Sequence, residues 1–90
     1  MTRIDAAVLE QMPLEDIDAV TFYKQDEVTS DLICCDVAMA GTVRTFHEEL
    51  EGWDVLLQHL YKLPNFRTDW YASVSQPPFE ASELVAFSRR

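Results

Sequence analysis

Residues 31–47 constrain the fold more than any other part of the chain, because they have the pattern of a β-hairpin and contain both cysteines. Strand-forming residues lie on each side of Ala40-Gly41, which we take as the two central residues of a tight turn. Antiparallel pairing about this turn gives three cross-strand pairs: Cys34 with His47, Cys35 with Phe46, and Asp36 with Thr45. The pattern therefore predicts both the register and the two faces of the hairpin.

The two faces of this hairpin differ in polarity, since alternate residues of a strand point to opposite sides. The more apolar face, which we expect helices to cover, carries Ile33, Cys35, Val37 and Phe46. The opposite face carries Leu32, Cys34, Asp36, Ala38, Val43, Thr45 and His47. Leu32, Cys34, Ala38 and Val43 are apolar for a surface in water, so we expect this face to pack on a second copy of the protein. The predicted homodimer interface consists of Leu32, Ala38, Val43 and Thr45.

Further strands and helices are predicted around the hairpin. Residues 17–24 are rich in β-branched and aromatic side chains, which favours a strand, and the polar residues 25–30 indicate a loop. Residues 53–62 have apolar side chains at helical spacing, which predicts an amphipathic helix. A shorter helix begins at Asp69 and ends before Gln76, since Pro77-Pro78 cannot continue it. Residues 82–88 have the pattern of a last strand.

This order of elements predicts an α+β fold, with a small antiparallel sheet of three to four strands and two helices packed on one face. The length of 90 residues and a hydrophobic content of 48% suffice for one domain with a small core. We assign this domain to residues 14–90. Residues 1–13 form an N-terminal segment that is either a weak helix over residues 5–12 or disordered.

The chain is acidic, with 16 Asp and Glu residues against seven Lys and Arg and a net charge of −9. Residues 1–54 hold 13 acidic and three basic residues, and residues 55–90 hold three acidic and four basic residues. DNA and RNA are bound through clustered Lys and Arg, so we expect no nucleic-acid partner. The acidity suits either a basic protein partner or a solvated surface.

The apolar runs and the cysteines indicate the cellular compartment. Residues 32–35 and 37–40 are far shorter than the roughly 18 apolar residues of a membrane span, and the N-terminus lacks a secretory signal. Cys34 and Cys35 are neighbours that point to opposite faces of a strand, so we expect free thiols, which suit a reducing compartment. We therefore expect a cytoplasmic protein without a membrane partner.

Cys34, His47 and Asp36 share one face of the predicted hairpin and are the candidate catalytic residues. A thiol within reach of an imidazole is the minimum for a nucleophilic cysteine, and Thr45 or Asp36 would orient the imidazole. The alternative is that Cys34 is a small packed residue beside a hydrogen-bonded histidine.

Metal and nucleotide motifs are not found in the sequence. The stretch His47-Glu48-Glu49 resembles the zincin motif but has Glu51 where the second histidine is required. We therefore assign no metal site, although zinc held by Cys34, His47 and a carboxylate stays a possible alternative. With Gly41 and Gly52 as the only glycines, glycine-rich phosphate loops are excluded, and we expect no cofactor.

Aromatic side chains are concentrated in the second half of the chain. Trp53, Trp70 and Tyr71 are candidate residues for binding a small-molecule ligand, because aromatic rings near Pro77-Pro78 can line a cleft. The alternative is that these rings form the core, since each buries a large apolar area.

Several short motifs resemble a family of small uncharacterised bacterial proteins. They are residues 21–27, residues 31–35, His47-Glu48-Glu49, Gly52-Trp53, Leu63-Pro64, Trp70-Tyr71 and Gln76-Pro77-Pro78-Phe79. The resemblance covers residues 14–90 and implies no activity, because the family has no assigned function. No functional residue is carried over from it.

Three functions follow from the sequence as hypotheses. The first is a non-enzymatic interaction module that self-associates through its open sheet face and binds a partner or a small ligand. The second is a small enzyme that uses Cys34 and His47. The third is an acidic, inhibitor-like protein that covers a basic partner.

Overall fold

The computed structural model describes residues 3–26, 31–75 and 82–89, and these form a four-stranded antiparallel sheet with three short α-helices. The predicted α+β class is therefore confirmed. The strands are β1 (Ala19–Asp26), β2 (Asp31–Met39), β3 (Thr42–His47) and β4 (Ser82–Ser88). Their spatial order is β3-β2-β1-β4, so the last strand lies beside the first.

The hairpin of β2 and β3 has the predicted register. Cys34 pairs with His47, Cys35 with Phe46, and Asp36 with Thr45. The turn residues Ala40 and Gly41 have φ angles of 51° and 79°. Positive φ at both central residues is what a type I′ turn requires, and this turn matches the twist of the two strands.

The predicted bounds of the last strand are confirmed, and those of the first strand are wrong by two residues. β4 has the predicted bounds, whereas β1 is shifted toward the C-terminus relative to residues 17–24 and runs to Asp26. This shift follows from pairing, because Asp26 lies opposite Asp31 and Ala19 lies opposite Ala38. The rest of the predicted loop, residues 27–30, lies outside the described residues.

The helices are short. They are α1 (Ala6–Glu10), α2 (Trp53–Leu60) and α3 (Trp70–Ser75), and a 3₁₀ turn spans Leu14–Asp16. α1 begins after Asp5, whose carboxylate accepts a hydrogen bond from the Val8 amide at 3.1 Å and caps the helix. α2 ends two residues earlier than predicted, and Pro77-Pro78, predicted to end α3, lie outside the described residues. None of the described helices combines the length and apolar composition needed to cross a bilayer.

The core lies against the face of the sheet that was predicted to be apolar. Ile33, Cys35, Val37 and Phe46 are all buried there. Phe22 of β1 stacks on Trp70 of α3 with ring centroids 3.9 Å apart, and it meets Trp53 of α2 edge-on at 6.3 Å. Aromatic contacts of this kind supply much of the buried apolar area of so small a chain.

The N-terminal segment also contributes to the core, through buried Ile4 and Met12. The Ile4 amide donates a hydrogen bond to the Glu51 carbonyl at 2.7 Å, and Arg3 forms a parallel bridge with Glu51. This contact needs Gly52, which has a φ of 90° and on which a Cβ would overlap the Ile4 carbonyl. The backbone conformation of Gly52, just before α2, therefore allows the N-terminal segment to pack closely against it.

Candidate functional site

The face of the sheet opposite the core, which we call the outer face, is built from rows that cross all four strands. Directly paired residues share a face, so the register defines three rows. In the order β3, β2, β1, β4 they are Val43, Ala38, Ala19, Ser88; Thr45, Asp36, Thr21, Val85; and His47, Cys34, Tyr23, Glu83. Leu32 and Gln25 form a further pair on the same face.

The first row, together with Thr21 and Val85 of the second row and residues around the β2–β3 turn, lines a groove, which we call the outer-face groove. Its volume is about 550 Å³, and its lining includes Asp18, Ala19, Thr21, Ala38, Val43 and Val85. Val43 is 59% exposed and Val85 is 48% exposed, and they lie on the two outermost strands. The small side chains of the two central strands thus form a floor between two exposed valines.

Asp36 is the centre of a hydrogen-bonded group on this face. Its Oδ1 accepts a hydrogen bond from the Thr45 hydroxyl at 2.8 Å and another from the Tyr23 hydroxyl at 3.3 Å. Burial raises the pKa of Tyr23 to about 12, and the negative charge of Asp36 and the nearby Cys34 add to the rise. Tyr23 is therefore a neutral donor at physiological pH, and it holds the carboxylate in place.

The candidate catalytic residues Cys34, His47 and Asp36 all lie on the outer face, in adjacent rows. Cys34 is buried there, and its Sγ lies 3.8 Å from Gln25 Oε1 and 3.9 Å from the Leu32 carbonyl oxygen. His47 Nδ1 accepts a hydrogen bond from the Glu49 amide at 3.3 Å. Cys34 and His47 are direct cross-strand neighbours, as the sequence predicted.

Cys35 lies on the opposite side of the same strand, in the core. Burial raises the pKa of the Cys35 thiol well above its usual range. Because the thiolate is the nucleophilic form, this cysteine is chemically inert in the folded chain. Neither thiol forms a disulfide.

The aromatic ligand-binding candidates are brought together, but two of them serve the core. Trp70 is buried and its Nε1 donates a hydrogen bond to the Tyr61 hydroxyl at 3.1 Å, while Trp53 is half-buried with its ring centroid 6.3 Å from that of Trp70. Tyr71 is 59% exposed and contacts Trp70 from outside at 5.7 Å. Their rings are absent from the lining of the outer-face groove.

A second, smaller groove of about 350 Å³ runs beside the edge strand β4. It is lined in part by Asn65, Arg67, Phe87 and Arg89. Both guanidinium groups are engaged: Arg67 pairs with Asp69 at 2.8 Å, and Arg89 donates to the carbonyls of Ile17 and Leu14 at 2.9 Å. In the described parts of the chain, no three His, Cys, Asp or Glu side chains are grouped to hold a metal ion.

Sequence reasoning missed the contributions of β1 and β4 to the outer face. Tyr23, which holds Asp36, and Val85, which bounds the groove, were not singled out. The alternation of Ala19, Thr21 and Tyr23 with buried Val20 and Phe22 was a usable signal for β1. No local signal places β4 beside β1, because that pairing joins residues far apart in the chain.

Comparisons with known proteins give no relative from which a function could be transferred. No protein-family model, no curated protein and no solved structure matches this chain.

Proposed function

We propose that this chain is a non-enzymatic binding module whose outer face binds a basic segment of a partner protein. The observation that carries the proposal is the composition of that face, where an apolar groove lies among carboxylates. Asp18 lines the groove, Asp36 lies in the middle row and Glu83 lies in the third row. Among the described residues of the outer face there is no Lys or Arg.

The apolar part of the face supplies a reason to bind. Single exposed apolar side chains are ordinary, but Val43 and Val85 bound one continuous groove whose floor includes Ala19 and Ala38. Exposed apolar surface with a polar rim is typical of interaction sites. Covering this groove removes apolar surface from water, which contributes favourably to binding.

The charge of the face supplies a reason to prefer a basic partner. A net charge of −9 and the carboxylates around the groove attract cationic segments and speed their association. A second copy would instead bring the same carboxylates opposite one another without Lys or Arg to neutralise them. Like charges across an interface oppose binding, so the basic partner is favoured over the homodimer that the apolar pattern alone suggested.

The test compares two variants in which an exposed valine is replaced with arginine, so that both make the same change in charge and size. Val43→Arg places a cation at the groove, and Val55→Arg makes the same exchange at a valine of α2 that is 42% exposed. Binding is measured against an array of short synthetic peptides that vary independently in Lys and Arg content and in apolar content. We expect the tightest binders to combine both properties, and Val43→Arg to weaken them at least tenfold, about 1.4 kcal/mol, with a much smaller effect of Val55→Arg.

Two results would contradict this proposal. If both variants weaken binding equally, the peptides respond to net charge and the outer face is not the site. If the protein is a dimer that Val43→Arg dissociates and Val55→Arg does not, a second copy occupies the face. Light scattering on the purified protein detects that dimer directly, and circular dichroism verifies that each variant is folded.

A further inference from the structure

We infer that the segment bound in the outer-face groove is an amphipathic α-helix with cationic side chains along the borders of its apolar stripe. This inference rests on the proposed function and adds the conformation of the partner. Three properties of the described face lead to it: the way its backbone is paired, its width, and the position of its carboxylates.

The floor of the groove offers mainly side chains. β1 pairs with β2 and β4 on its two sides, with one register shift against β4 between Val20 and Thr21, and β2 pairs with β1 and β3. The paired backbone groups of both central strands therefore point within the sheet. An extended peptide on this face would lose water from its amides and carbonyls without gaining partners, which costs free energy. An α-helix satisfies its own backbone and presents only side chains.

The width of the groove suits a helix. Val43 lies on β3 and Val85 on β4, and these are the two outermost strands of the sheet. Three strand spacings separate them, about 14 Å in total, and an α-helix with its side chains is about 10–12 Å across. Ala19, Thr21 and Ala38 between them are small, which leaves space for large apolar side chains of the occupant.

Carboxylates lie in and beside the groove, within reach of long cationic side chains on the flanks of a bound helix. Asp36 is held by Thr45 and Tyr23 beside the groove, Asp18 is part of its lining, and Glu83 is exposed in the neighbouring row. A helix with apolar residues at positions i, i+3, i+4 and i+7 carries its flanking residues on both sides of that stripe. Lys or Arg at those flanks can reach acidic side chains while the apolar stripe fills the groove.

The experiment uses two synthetic peptides of about 15 residues with identical Leu and Lys composition. One has Leu at helical spacing, and the other alternates Leu and Lys in the pattern of a strand. Affinity is measured by isothermal titration for the wild type, Val43→Arg and Val55→Arg, and helix formation is followed by circular dichroism. Val85→Arg, on the opposite border of the groove, serves as a second variant if Val43→Arg does not fold.

We expect the helical peptide to bind at least tenfold more tightly than the alternating one and to gain helicity on binding. Its affinity should fall in Val43→Arg or Val85→Arg and stay unchanged in Val55→Arg. Equal or tighter binding of the alternating peptide, still sensitive to Val43, would overturn the helix and leave the proposed function standing. If both peptides bind and neither Val43→Arg nor Val85→Arg changes their affinity, the proposed function is overturned as well.

Discussion

Ala40 adopts a conformation that its own side chain disfavours. With φ at 51°, it lies in the left-handed region, which costs an alanine roughly 1 kcal/mol and costs glycine or asparagine much less. The hairpin tolerates this because Gly41 follows and the Ala40 amide donates a hydrogen bond to Asp18 Oδ2 at 3.3 Å. The turn is thus correct in geometry but not optimal in sequence.

Replacing Ala40 with asparagine should stabilise the fold by about 1 kcal/mol, because Asn-Gly is the preferred pair for a type I′ turn. The measurement is the free energy of unfolding from urea titration. Ala40→Val is the opposite control, since a β-branched side chain disfavours positive φ further. If Ala40→Asn lowers the free energy of unfolding, the turn type assigned to the hairpin is wrong.

The two neighbouring thiols should react with alkylating reagents at different rates. Cys35 lies in the core with none of its surface exposed, whereas Cys34 lies on the outer face with 4% of its surface exposed. Single-cysteine variants, Cys34→Ser and Cys35→Ser, allow each thiol to be followed by mass spectrometry after iodoacetamide treatment. We expect Cys34 to react faster under native conditions. Equal alkylation rates would mean that both thiols become accessible to the reagent only on global unfolding.

At the scale of elements, Gly52 lies just before α2 and is in close contact with Ile4 of the N-terminal segment. Gly52→Ala should destabilise the fold by more than about 2 kcal/mol, because positive φ and overlap with the Ile4 carbonyl add together. Gly41→Ala separates the two causes: its φ is 79°, but a Cβ there meets nothing within 4 Å, so its cost should be only about 1 kcal/mol. Urea unfolding of both variants tests the difference, and similar losses would show that the Ile4 contact is unimportant.

The elements also show how far sequence reasoning reaches. The register of β2 and β3 was predictable because a two-residue turn and strict alternation determine it locally. The outer-face groove was only half predictable: Ala38 and Val43 come from this hairpin, but Val85 and Ala19 join them through the pairing of β4 with β1. The close approach of Gly52 to Ile4 joins residues 48 positions apart in the chain, so no local stretch of sequence predicts it.

At the scale of the whole molecule, the buried thiol of Cys35 and the half-buried hydroxyl of Tyr23 make stability depend on alkaline pH. Burial raises the pKa of the Cys35 thiol above its usual range and the pKa of Tyr23 to about 12. Below about pH 8.5 both groups are protonated in the folded and the unfolded chain, so their stabilising effect is fully present. As pH rises further, the unfolded chain loses these protons first, and the free energy of unfolding falls.

We therefore expect the urea midpoint, measured under reducing conditions, to decrease from about pH 8.5 upward, near the ordinary pKa of a thiol. In Cys35→Ala the decrease between about pH 8.5 and 10 should be smaller, because the thiol whose pKa is raised by burial in the core is gone. The comparison is between the shapes of the two pH curves, because the truncation itself lowers stability at every pH. Curves of the same shape would mean that the buried thiol does not control alkaline unfolding.

The end of β4 is tied to a distant part of the chain, with a consequence for the order of folding. The Arg89 guanidinium donates to carbonyls 72 and 75 residues away in sequence. Contacts between residues so far apart close long loops, and the entropy of closing them delays their formation. One border of the outer-face groove belongs to this late strand, so a nascent or partly folded chain has no complete groove. Partner recognition should thus be reserved for molecules that have finished folding.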